Sequence, residues 1–106
     1  MEPSVTSGED LKKLGIDLVY REEWQRRARE YAFRRIPLDW EGLFEEIRYK
    51  ITQAPGFFPP HHPNSWPALG HYIRAQGWYL GTGIWRPCVI YSSRRANMGE
   101  VIRKIV

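Results

Sequence analysis

Between Gln53 and Pro63 the chain reads QAPGFFPPHHP. No α-helix can run through this segment, because proline lacks the N–H that a helix interior uses and its ring strikes the preceding turn. No central strand can either, because each proline removes a ladder hydrogen bond. A chain of 106 residues is long enough for one domain and too short for two ordinary ones. The break is therefore a loop within one fold, and Phe57 and Phe58 are expected to pack back from it onto the core.

What flanks the loop decides the architecture. Upstream, Leu18 to Arg35 has a helical period, with Trp24, Ala28, Tyr31 and Ala32 on one stripe. Arg21, Glu22, Arg26, Arg29 and Glu30 fill the remaining face, opposite charges three or four apart. Pro37 ends this helix. Residues 1–17 read as a flexible tail, with at most one helical turn from Asp10 to Leu14, stopped at Gly15. A second helix is expected to open at Leu38–Asp39, with Asp39 as N-cap and Glu41 in the first turn, near the positive end of the helix. Trp40, Leu43, Phe44, Ile47 and Ile51 repeat along it at helical spacing.

Downstream, Pro63-Asn64-Ser65 is a start signal, with Asn64 or Ser65 as cap and Pro67 in the first turn, where its missing N–H costs nothing. Gly77 provides a left-handed stop. The third helix, about 65–76, then turns Trp66, Leu69, Gly70 and Ile73 inward. Ala68, His71, Tyr72 and Ala75 face outward, with Arg74 at the edge. After Gly77 the period shortens. GWYLGTGIWRPCVIYSS is aromatic and β-branched, and GEVIRKIV alternates. The two read as antiparallel strands joined by a polar loop, about 92–99, that carries Arg94 and Arg95.

Several function classes drop out. No apolar run approaches the ~18 residues of a membrane span. The polar, acidic start, Met1 to Asp10, lacks the layout of a secretory signal. The single cysteine, Cys88, excludes an intrachain disulfide and a cysteine-based zinc cage, and a reducing, cytoplasmic setting is expected. His61, His62 and His71 are joined by no patterned carboxylate or cysteine, so they read as loop and surface residues and not as metal ligands. Glu41, Glu45 and Glu46 read as a solvated helix face. GTGIW lacks the further glycines and lysine of a phosphate cradle. No catalytic constellation emerges, so the expectation is a non-enzyme without a cofactor.

Charge is distributed unevenly. Residues 1–53 carry ten Lys/Arg and eleven Asp/Glu, whereas residues 54–106 carry six Lys/Arg and Glu100 as the sole acid. A basic half points to a polyanion partner. Three helices followed by a hairpin with a basic tip is the layout of a winged helix-turn-helix domain, an α+β fold whose third helix enters the DNA major groove while the wing touches the backbone. That assigns residues 18–106 to one such domain. On duplex DNA, Asn64 and Ser65 are expected to hold a phosphate on the N–H groups of the helix start. His71, Tyr72 and Arg74 would reach base edges. Arg86, Arg94, Arg95, Arg103 and Lys104 would meet phosphates from the wing.

The run Pro63-Asn64-Ser65-Trp66-Pro67-Ala68-Leu69, then Gly77-Trp78, Thr82-Gly83, Ser92-Ser93-Arg94 and a terminal strand led by Gly99 resembles a family of small bacteriophage and prophage proteins. Those proteins carry H-P-N-x-W-G-A, a helix, a glycine, T-G and a short basic wing, and are regarded as helix-turn-helix DNA-binding proteins. The resemblance covers about residues 36–106. It departs from the pattern at Pro67, where the family has glycine, and in WRPCVIY, which lengthens the segment after T-G. It implies a role in regulation or replication encoded by a phage or mobile element. The alternative is a winged-helix module that docks on a host or replication protein, because that shape serves both uses. Oligomeric state is left open, with a homodimer through the N-terminal helix as one option.

Overall fold

The helical periods and the alternating tract become three helices and a three-stranded antiparallel sheet, an α+β architecture. The computed structural model describes residues 8–91 and 97–106, with side chains from residue 17 onward. In chain order the elements are α1 (Gly8–Arg34), β1 (Glu41–Gly42), α2 (Phe44–Thr52), α3 (Ser65–Ala75), β2 (Tyr79–Pro87) and β3 (Met98–Lys104). β3 is the central strand, in the order β1-β3-β2.

Two sequence expectations change. The tail expected over 1–17 is helical from Gly8 onward, and residues 1–7 lie outside the described residues. α1 runs straight through Gly15. One glycine costs a helix interior about 1 kcal/mol, and a helix of 27 residues absorbs that. The second change lies at Asp39, which does not cap a helix. It sits at φ +67°, a left-handed conformation that aspartate tolerates better than most residues. Its N–H donates to the Lys104 carbonyl, and the Trp40 carbonyl accepts from the Lys104 N–H, each at 2.9 Å. Residues 41 and 42 therefore pair with Arg103 and Ile102 as a strand. α2 starts at Phe44, where the Glu46 carboxylate accepts the Leu43 N–H at 2.6 Å.

The core forms where the helices meet the sheet. α1 contributes Trp24, Ala28 and Ala32, α2 Ile47 and Ile51, α3 Trp66, Leu69 and Ile73, and the strands Tyr79 and Ile102. The Trp24 and Trp66 rings meet edge to face at 5.0 Å. Phe57 stacks on Trp66 at 6.4 Å, so the proline-rich loop does fold back onto the core. α3 ends as its sequence indicates, with Gly77 at φ +77° and its N–H bonded to the Arg74 carbonyl.

The ribbon of β2 and β3 is irregular at one point. Gly81 pairs with Ile102 and Trp85 with Glu100, leaving extra residues on β2 between them. Thr82, Gly83 and Ile84 make up this bulge. Thr82 Oγ1 donates to the Val101 carbonyl at 2.8 Å, and Gly83 takes φ +81°, which L side chains rarely adopt. The bulge bends the ribbon beside the outer face of α3.

Candidate functional site

The concave side between α3, the start of α2 and the bent ribbon forms a groove of about 890 Å³. α3 lines it with Pro67, His71, Arg74 and Ala75, α2 with Phe44, Glu45 and Arg48, the ribbon with Leu80, Trp85 and Glu100, and the segment after β2 with Tyr91. Among the ten residues proposed from sequence, the groove brings together His71 and Arg74. His71 is exposed. Arg74 is also exposed, and its Nη2 lies 3.3 Å from Glu100 Oε1.

Two other arginines are exposed but tethered. Arg86 pairs with Glu46 at 3.4 Å and Arg103 with Glu41 at 2.7 Å. The acids of the N-terminal half thus reach across to the arginines of the C-terminal half, which local charge counting does not show. Glu41, Glu45 and Glu46 are accordingly not a solvated helix face. Glu45 accepts the backbone N–H groups of Val89, Ile90 and Tyr91 at 2.9, 3.1 and 3.3 Å, pinning the chain as it leaves β2. Arg94 and Arg95 lie outside the described residues.

Three assignments are corrected. Lys104 is buried at 4% exposure, with its ammonium bonded to the Val106 carbonyl and 5.2 Å above the Phe33 ring. It lies on the central strand opposite buried Tyr79 and cannot meet a phosphate. Tyr72 is half-buried, not outward. The Arg29 guanidinium covers one face of its ring at 3.8 Å, and Trp78 meets it at 5.7 Å. α1, passing beside α3, takes up this part of the face that the helical wheel assigns to solvent.

The third correction concerns the start of α3. Asn64 is the cap by position, yet its side chain makes no capping bond. The Ser65 N–H donates to the His62 carbonyl, that of Trp66 to Pro63 and that of Ala68 to Asn64, while Pro67 has none. The turn formed by His62 and Pro63 has already used the N–H groups that would have held a phosphate at Asn64 and Ser65. His62 Nδ1 accepts the Asn64 N–H at 3.1 Å, so this imidazole serves the turn. Among the described residues no group of three or more His, Cys, Asp or Glu is placed to hold a metal ion.

Arg48 is a groove residue that sequence reasoning missed, whereas Trp85 is a tryptophan that the helical periods do not assign to the core. The Arg48 guanidinium stacks over Tyr91 at 3.9 Å and faces Trp66 at 5.0 Å, and Trp85 is 57% exposed. The apolar period of α2 drew attention to Ile47 and away from its neighbour Arg48. Nothing local indicated that Tyr91 would return to α2. Cys88, beside the groove, has its thiol pKa pushed up by burial and then by the Glu45 carboxylate, which disfavours the thiolate a nucleophile requires.

Comparison with protein-family models, with curated proteins and with solved structures found no match. No helix among the described residues is long and apolar enough to cross a membrane.

Proposed function

We propose that this chain is a winged helix-turn-helix protein that binds duplex DNA, with α3 as the helix laid in the major groove and the β2–β3 ribbon as the wing. The observation that carries the reading is the placement of α3. The short strand β1, inserted before α2 and paired to β3, joins the helices to the ribbon. α3 keeps His71 and Arg74 exposed beside that ribbon. The joining segment of the ribbon contains Arg94 and Arg95.

The paired arginines are compatible with this role. Exposed ion pairs contribute about 0–1 kcal/mol each, so a phosphate that releases condensed counterions competes with a carboxylate for Arg74, Arg86 or Arg103. Asn64 and Ser65 contribute side chains at most, and Tyr72 and Lys104 take no part. The test is an anisotropy titration of random-sequence duplex at two salt concentrations. The parent protein should bind with a negative salt slope. Arg74→Ala should flatten that slope by about 1, and His71→Ala should change a selected-sequence profile while leaving the slope in place.

A second reading has its own observation. Leu80, Ile84, Trp85, Val89 and Met98 on or beside the ribbon are each more than half exposed, an apolar surface suited to a protein partner. Absence of duplex binding at low salt would favour docking on a host or replication protein.

A further inference from the structure

The groove beside α3 contains groups that duplex binding leaves unused. Nε of Arg48 is buried without a hydrogen-bond partner, and none of the ion pairs among the described residues includes Arg48. The two carboxylates on the same walls are engaged elsewhere. Glu45 holds the N–H groups of Val89, Ile90 and Tyr91, and Glu100 holds Arg74 and the Gly83 N–H. Arg48 is thus a cation on the groove wall with no carboxylate partner among the described residues, its guanidinium resting on the Tyr91 and Trp66 rings. A guanidinium has only donors to offer, so its natural complement is an anion. On the ribbon side of the groove, Trp85 is open to solvent over 57% of its surface. An exposed indole and a guanidinium without a carboxylate partner along one groove form the combination that holds an unpaired base together with its phosphate. The volume, about 890 Å³, is in the range of small-ligand sites.

We infer that this groove takes one unpaired nucleotide, at a duplex end or distortion, with its base against Trp85 and its phosphate against Arg48. The inference rests on the nucleic-acid reading above and extends it to a second element of the same ligand. A 5′-phosphorylated deoxytetranucleotide titrated into the full chain, followed by amide and indole NMR signals, tests it. Signals of Arg48, Trp85 and Tyr91 should shift. Affinity should fall about five-fold or more in Trp85→Ala and in Arg48→Gln. Trp85→Phe keeps a stacking ring and should bind within about two-fold of the parent, and well-dispersed amide spectra confirm that each variant is folded. No shift around the groove, or an affinity indifferent to both truncations, overturns the assignment. Inorganic phosphate reproducing the Trp85 shift removes the base from it. A blunt duplex, which offers no unpaired nucleotide, is titrated in parallel, so the nucleotide site and the duplex reading fail separately.

Discussion

The Tyr79 hydroxyl donates to the Ala32 carbonyl at 2.7 Å, joining residues 47 positions apart. α1 ends at Arg34, so the Ala32 carbonyl is among the last four, which have no helix N–H to receive. Both residues are buried, and burial raises the Tyr79 phenol pKa, keeping the donor proton in place. Tyr79→Phe removes the donor and leaves a carbonyl buried and unpaired. The expected loss is about 1–3 kcal/mol, read as a lower denaturant midpoint with an unchanged slope. A midpoint equal to that of the parent would mean that water replaces the bond.

Leu69 is 4% exposed on the inner face of α3, between Trp66 and Ile73. Leu69→Ala should destabilise the protein by about 2–5 kcal/mol. Ala68→Ser, one position away on the exposed face, should stay within about 0.5 kcal/mol. Similar values for the two would contradict the inward orientation of this helix.

Glu45 is the sole described tether of three successive amides. Glu45→Ala should leave the fold standing while speeding hydrogen exchange at Val89, Ile90 and Tyr91, because exchange reports local opening. Exchange at Ile73, in the core, should not change. Equal acceleration at both places would indicate global destabilisation instead.

Glu23 lies between Arg26 and Arg27 on α1, and hydrogen bonds from the two guanidiniums lower its pKa from 4.5 to about 2. A carboxylate held low in the folded state adds stability above its unfolded pKa and loses it as pH falls through the folded value. The difference in melting temperature between the parent and Glu23→Gln should be constant at neutral pH, shrink below 4.5 and vanish near 2. The pair is exposed, so the whole effect is small and should weaken further in high salt. A difference that grows on acidification would reverse the sign argued here.

The cross-chain ion pairs predict a gain of function. Glu41→Gln releases Arg103 from its 2.7 Å partner and removes a negative charge near the sheet. If Arg103 contacts phosphate, affinity for random duplex should rise at low salt and the salt slope should steepen by about 1. An unchanged slope would place Arg103 away from the DNA.

Much of the fold is local and could be read from the residues in order. The inward faces of α2 and α3 follow from apolar spacing at Ile47, Ile51, Trp66, Leu69 and Ile73. The end of α3 follows from a glycine free to take positive φ at 77, and the ribbon from the change to alternation after it. Each of these depends on interactions within a few positions, which a sequence window contains. The exposure of His71 and Arg74 was legible for the same reason. Tertiary structure alone decided the rest. Strand β1 exists because residues 41 and 42 find Arg103 and Ile102. Tyr72 is covered because α1 brings Arg29 over it, and Lys104 is buried because α1 brings Phe33 to its face of β3, while Arg103 on the opposite face stays exposed. Glu41 and Glu46 neutralise Arg103 and Arg86 across 62 and 40 positions. Such partners meet only once loops close between them, and the alternating or helical pattern around each residue is the same whether or not that meeting occurs.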